Sequence, residues 1–316
     1  MLCATLIALA TMSCKTDIPD LDFRQEMRNF VIDLSTYSRQ HNGSFIVIPQ
    51  NGQELITKSG DTDSELQTNY IQAINATGRE DLFYGYTSDN VATPKSDNAY
   101  MLGLCNLCEQ NSIEVLAIDY CSSHDKMDNS YQQNAAKNFI SFAANERNLT
   151  NIPDYPVKPF HENPENITKI SQAKNFLYLI NPENYNSKPD FISAVNQTNY
   201  DVVIMDLFHN EDAYTNAEIQ QLKTKLNGGK RLVICYMSIG EAEDYRFYWQ
   251  NTWKTNKPDW LLAENPQWKG NYKVRYWEKS WQNIIYGNDA SYIKKILDAG
   301  FDGVYLDLID AFEYFE

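Results

Sequence analysis

Four carboxylates stand where stretches that read as β-strands run out: Asp119 in EVLAIDY, Asp206 in DVVIMD, Glu241 just after LVICYMSIG, and Asp307 in GVYLD. Side chains at the C-terminal ends of parallel strands face the mouth of an α/β barrel, where such folds hold substrate. Several acids gathered there read as a carboxylate-lined site. Two carboxyl groups flanking a glycosidic bond form a complete hydrolytic device, one protonating the leaving oxygen and the other acting as nucleophile or base. Asp307 and Glu80 are the leading pair. Asp307 ends an apolar run whose walls tune a carboxyl pKa, and Glu80 lies in ATGREDLFYGY, just before a predicted strand core.

Other side chains belong with this pair. In YMSIGEAEDYR, Tyr236, Glu241 and Arg246 follow an apolar strand, and the acid and the guanidinium suit hydrogen bonding to sugar hydroxyls. Asp206, Asp119 and Asp310 are placed in the substrate-binding set. Gln50 and Asn51, at the end of FIVIPQNG, supply neutral polar groups of the same use. Trp277 stands in an aromatic-rich stretch from Trp249 to Trp281 whose flat faces suit pyranose rings and also suit core packing.

Eight apolar stretches of strand length can position these groups: Ser44 to Pro49, Leu82 to Thr87, Glu114 to Cys121, Asn175 to Asn181, Asp201 to Phe208, Arg231 to Ile239, Lys273 to Trp277 and Gly303 to Asp310. Several are continuous β-branched or aromatic runs, the pattern of strands covered on both faces. Helical periodicity separates many of them. Met27, Phe30, Val31, Leu34 and Tyr37 make one amphipathic stripe. Thr215 with Glu218 is a capping box ahead of Ile219, Leu222 and Leu226, and Gly300 stops a helix that carries Tyr292, Ile293, Ile296 and Leu297. A further helix is predicted over Tyr131 to Arg147, followed by a proline-rich connector near 150–165. Eight strands alternating with helices predict one (β/α)8 TIM barrel over 23–316.

The chain has 316 residues and a formal net charge of −15, which argues against a nucleic-acid partner because a phosphate backbone requires a cationic footprint. Its 21 Tyr, 14 Phe and 6 Trp mark a folded core. Residues 1–13, MLCATLIALATMS, form an uncharged apolar run before Cys14 that resembles a lipoprotein signal segment. The expectation is lipidation of Cys14, a tether over 14–22, and a monomer exported to the periplasm or cell surface on a membrane anchor. Cys105 and Cys108 lack a second ligand pair, so neither a metal nor a cofactor is expected. Cys121 and Cys235 read as buried fillers.

The motifs CYMSIGEAEDYR, ENPQWKGNYKVRYW, GFDGVYLDLIDAFEYF, FIVIPQNG and GREDLFYG closely resemble the bacterial branch of glycoside hydrolase family 114, the endo-α-1,4-polygalactosaminidase-like TIM barrels. The resemblance implies hydrolysis of an amino-sugar polysaccharide by a retaining-type carboxylate pair, with Asp307 and Glu80 at the matching positions. An Asn normally follows the strand-end aspartate in the family, where Leu308 stands here. Segments resembling Asn175 to Glu316 come first in the family and those resembling Asp22 to Asp119 follow, so the order here reads as a circular permutation. That reading places the helix of Phe23 to Gln40 beside the strand holding Asp307. The rival expectation is a surface carbohydrate-binding lipoprotein with an inactive barrel.

Overall fold

The stripe of Met27, Phe30, Val31 and Leu34 folds as expected. These four side chains are fully buried on one face of the helix Phe23–His41, and Asp22 accepts a hydrogen bond from the Gln25 amide at 2.9 Å to cap its start. Burial of each such side chain contributes about 1.5–3 kcal/mol. The computed structural model describes residues 20–316, so the leader, Cys14 and most of the tether lie outside the described residues.

The strands are β1 (Ile46–Pro49), β2 (Ala76–Glu80), β3 (Glu114–Tyr120), β4 (Ile140–Ala144), β5 (Phe176–Tyr178) and β6 (Val202–Asp206), followed by the short hairpin β7 (Phe208–His209) and β8 (Asp212–Ala213). Then come β9 (Leu232–Ser238), β10 (Glu241–Glu243), β11 (Leu261–Glu264), β12 (Asn271–Val274) and β13 (Gly303–Asp307). Eight of these run parallel in two sheets, ordered β1-β13-β9-β6-β5 and β2-β3-β4. Isolated parallel bridges join the sheets at both edges, Gln50 to Gly78 and Ser141 to Asn175. Helices alternate with these strands along the chain, as the crossover geometry of parallel pairs demands.

Several sequence expectations need correction. Leu82 to Thr87 is the loop after a strand; the strand itself is Ala76–Glu80. Its sequence, ATGRE, hides it, because Gly and charged residues are poor strand signals. Gly78 has a steric reason: a Cβ there would lie 1.9 Å from the Tyr305 hydroxyl of β13. Lys273 to Trp277 does not supply a parallel strand; β12 pairs antiparallel with β10 and β11 in a side sheet. The helix predicted over Tyr131 to Arg147 is instead His124–Ala135 followed by β4. The run Phe139-Ile-Ser-Phe-Ala-Ala is short and apolar except for Ser141, a pattern that periodicity cannot assign to helix or strand.

The capping box at Thr215 and Glu218 forms, but the helix ends at Leu222, and Leu226 is exposed beyond it. The proline-rich connector is fastened to the parallel strands. Asn163 bonds the Asp201 carboxylate at 2.8 Å, and Asp201 forms a wholly buried ion pair with Lys225 at 2.8 Å. Helix Phe23–His41 packs against the segment that follows β13. Phe23 stacks on Phe315 at 5.3 Å, and Arg24 pairs with Glu316 at 2.8 Å.

Candidate active site

Register brings the strand ends level. Pro49 of β1 pairs with Leu306 of β13, Asp307 with Ser238 of β9, and Tyr236 of β9 with Asp206 of β6. On the other side, Gln50 meets Gly78 across the edge between β1 and β2. Glu80 and Asp307 therefore flank the end of β1, one strand to either side. Both line a single cavity of about 590 Å³ at these strand ends, within the range of ligand pockets.

The residues that follow Gln50, Glu80 and Asp307 share one backbone solution. Asn51, Asp81 and Leu308 all adopt the left-handed conformation, with φ of 58°, 57° and 59°. Such a conformation is strained for a side-chain-bearing residue and clusters at functional sites. It turns the chain sharply out of the strand and leaves the preceding side chain at the mouth. Leu is a poor occupant of this conformation and Asn a good one.

Each acid of the pair receives a tyrosine. The Tyr120 hydroxyl donates to Glu80 Oε1, and the Asn51 side-chain amide donates to Glu80 Oε2 at 3.4 Å. The Tyr236 hydroxyl donates to Asp307 Oδ2 at 2.5 Å, and the Leu308 amide donates to Oδ1 at 2.8 Å. The Arg147 guanidinium lies 3.9 Å over the Tyr120 ring. Burial raises the Glu80 pKa, and the charge of Asp307 raises it further against Tyr120, Gln50 and Arg147. Burial also raises Asp307, opposed by the bonds from Tyr236 and the Leu308 amide. Repulsion from Asp307 thus adds to burial at Glu80, and repulsion from Glu243 and Glu241 adds to burial at Asp307, while a tyrosine hydroxyl opposes the rise at each.

Asp206 is held by Arg246. Its two oxygens receive Nη1 and Nη2 at 2.9 and 2.8 Å, and Arg246 Nε bonds Glu243 at 2.6 Å. Burial raises the Asp206 pKa and Arg246 opposes it. Glu241 accepts from the Asn265 amide at 2.8 Å through one oxygen, while the other has no hydrogen-bond partner. Burial raises its pKa, with Asn265, Asn271 and Lys273 opposing.

Asp310 also lines the cavity, and burial, followed by the charges of Asp307 and Glu313, pushes it up to about 7 from an ordinary 3.8. A folded-state pKa above the unfolded value gives stability that is complete at low pH and disappears as pH rises through about 7. Asp310→Asn removes that dependence. Its melting temperature relative to the unmodified protein should therefore climb by a few degrees between mildly acid and mildly alkaline buffer; a constant difference across that window contradicts the assignment.

Gln50, Asn51, Glu80, Asp206, Tyr236, Glu241, Arg246, Asp307 and Asp310 all line the cavity. Two expectations are corrected. Asp119 does not line it: fully buried, it accepts from the amides of Phe83 and Tyr84 at 2.7 and 3.1 Å and from Ser130 and Asn134, so it shapes the loop after β2. Trp277 packs away from the cavity, on Phe23 at 5.0 Å and Phe315 at 4.7 Å. The sequence reading missed Tyr120, Glu243, Arg147 and Tyr178, whose hydroxyl bonds Gln50 at 2.9 Å. The GEAEDYR run carried the only signal for Glu243. Among the described residues, no group of three or more His, Cys, Asp or Glu side chains is arranged to hold a metal ion.

An uncharacterized protein of Methanocaldococcus jannaschii is 42% identical over 160 residues, 48% of this chain and 42% of the relative. One of Thermotoga maritima is 38% identical over 142 residues, 44% of this chain and 40% of the relative. One of Deinococcus radiodurans is 39% identical over 122 residues, 39% of this chain and 37% of the relative. The chain thus spans about two fifths of the length of these curated relatives. The family model matches residues 157–316, which include Asp206, Tyr236, Glu241, Arg246 and Asp307, whereas Glu80 and Tyr120 precede the match and stand on geometry. By that match over half its length, the chain belongs to glycoside-hydrolase family GH114.

Proposed function

We propose that this protein hydrolyses glycosidic bonds in an amino-sugar-containing polysaccharide, with Glu80 as general acid and Asp307 as nucleophile or base. The observation that carries the reading is the pairing of these two acids across the end of β1 in one cavity, each with a tyrosine donor. Glu80 donates its proton to the glycosidic oxygen as the bond from that oxygen to the anomeric carbon breaks. Asp307, ionised, attacks that carbon or takes a proton from the water that does. Where Asp307 attacked, water displaces it from the anomeric carbon and gives its proton to Glu80; where Asp307 was the base, it holds the water proton, and exchange with solvent resets both acids.

The cavity wall favours a cationic sugar. Besides the proton-bearing Glu80 and Asp310, whose pKa is pushed up to about 7, five carboxylates (Glu183, Asp206, Glu241, Glu243 and Asp307) face three cationic side chains (Arg147, Arg246 and Lys269). Such a field concentrates substrates that carry free amines. The architecture in this reading is a closed (β/α)8 barrel, supported by the two bridges that join its sheets. The packing of helix Phe23–His41 on the residues after β13 is an arrangement that the circularly permuted order requires.

The test is release of reducing ends from an α-1,4-linked galactosamine polymer, with the N-acetylated polymer and a neutral glucan in parallel. Release from the amine polymer above the other two is expected. Binding with no release from any polymer sinks the hydrolase reading in favour of a carbohydrate-binding barrel.

A further inference from the structure

Five of the six tryptophans are used up in packing. Trp249, Trp253, Trp260 and Trp281 form a chain of contacting rings at 5.0–5.3 Å, and Trp277 packs on Phe23. Trp268 has no ring partner among the described residues, is 56% exposed, and lines the cavity. An exposed indole at the edge of a cavity leaves apolar area in water that a ligand can cover.

The turn that carries Trp268 links β11 to β12 and is tied down. The Asn271 amide donates to the Trp268 carbonyl at 3.1 Å, the Gly270 amide to Glu264 at 2.8 Å, and the Asp244 amide to the Gly270 carbonyl at 2.8 Å. Gly270, at φ +91°, approaches so closely that a Cβ would lie 2.9 Å from Asp244 and 3.6 Å from the Tyr245 ring. Tyr245, 58% exposed and also lining the cavity, is fixed by its hydroxyl bond to Glu243 at 2.6 Å, with Arg246 5.2 Å from its ring centre. The same turn supplies Asn265, which holds one oxygen of the 3% exposed Glu241 and leaves the other unpartnered.

We infer that Trp268 and Tyr245, on the side sheet β10-β12-β11, form an outer saccharide subsite, where a sugar ring stacks on the indole with a donor group directed to Glu241. This rests on the hydrolase reading above and adds a dependence on substrate length to it. The backbone beneath Trp268 is tied down and the Tyr245 ring is bonded through its hydroxyl, which limits the ordering entropy that opposes binding. Substrates long enough to reach the side sheet gain this contact, and shorter ones do not.

The test compares kcat/KM on galactosamine oligomers of increasing length for the unmodified protein, Trp268→Ala and Trp268→Phe. The ratio of long-oligomer to short-oligomer kcat/KM should fall about tenfold in Trp268→Ala, about 1.4 kcal/mol of binding, and recover in part in Trp268→Phe. Quenching of tryptophan fluorescence by polymer in an Asp307→Asn background should weaken when Trp268→Ala is added. Equal effects at every length, or unchanged quenching, overturn the subsite while leaving the hydrolase reading intact. If the unmodified protein neither cleaves nor binds the polymer, both fail. Trp268 is exposed, so unchanged melting temperatures will show that the variants are folded.

Discussion

Glu80→Gln should lower kcat by about 10²–10⁴-fold, the range for loss of a positioned general acid, and Asp307→Asn by at least as much. The two variants differ in signature. In the proposed mechanism Glu80 acts protonated, and burial and the charge of Asp307 raise its pKa, so activity of the unmodified protein is expected to fall as pH rises past that pKa. Glu80→Gln abolishes this alkaline limb. In the same mechanism Asp307 acts ionised, so Asp307→Asn is expected to leave no anion to attack or to take a proton from water.

Stability guards against a trivial explanation. Both carboxyl groups have folded-state pKa values above their ordinary ones, so each contributes stability that is complete at low pH and lost as pH rises through the folded value. Neutral replacements should then melt no lower than the unmodified protein in neutral buffer. A folded Glu80→Gln that keeps its alkaline limb, or an Asp307→Asn that keeps most of its turnover, would sink the assignment.

The second large effect is on stability. Arg246 is 7% exposed at its side chain and closes ion pairs with Asp206 on β6 and Glu243 on β10, at 2.8 and 2.6 Å. Arg246→Ala leaves two buried carboxylates without their counter-charge, which costs about 3–5 kcal/mol. It also cuts the link between a parallel-strand end and the side sheet that bears Trp268. Burial already raises the Asp206 pKa and Arg246 restrains it, so removing Arg246 raises it further. The deficit should therefore shrink as pH falls and Asp206 takes up a proton. Urea unfolding at mildly acid and neutral pH measures both quantities. A loss below about 1 kcal/mol, the scale of an exposed ion pair, would mean the network is solvated rather than buried.

The parallel strands were legible wherever an apolar run ended in an acid, as in DVVIMD and GVYLD, because continuous burial leaves a compositional mark. β2 was illegible because its Gly78 answers to Tyr305, its Glu80 to the site, and its Arg79 to Gln53 on the segment after β1. β4 was lost to the ambiguity of a short apolar run. Asp119 shows a finer limit. In EVLAIDY, neighbouring residues point to opposite faces of the strand, and the parity decides which of Asp119 and Tyr120 enters the cavity. The fold sends Tyr120 to Glu80 and turns Asp119 toward Ser130 and Asn134 of the helix His124–Ala135.

The amino-acid sequence by itself determined the chemistry on offer: an acidic chain with carboxylates at strand ends, amphipathic helices with their caps, and motifs that resemble one hydrolase family. Only the tertiary structure decided that Glu80 and Asp307 meet, that Arg246 joins Asp206 to Glu243, and that Trp268, not Trp277, faces the cavity. The physical reason is that local pattern fixes the period of a strand or helix but not its neighbours. Proximity between residues far apart in the chain arises only when register and packing bring the strand ends together.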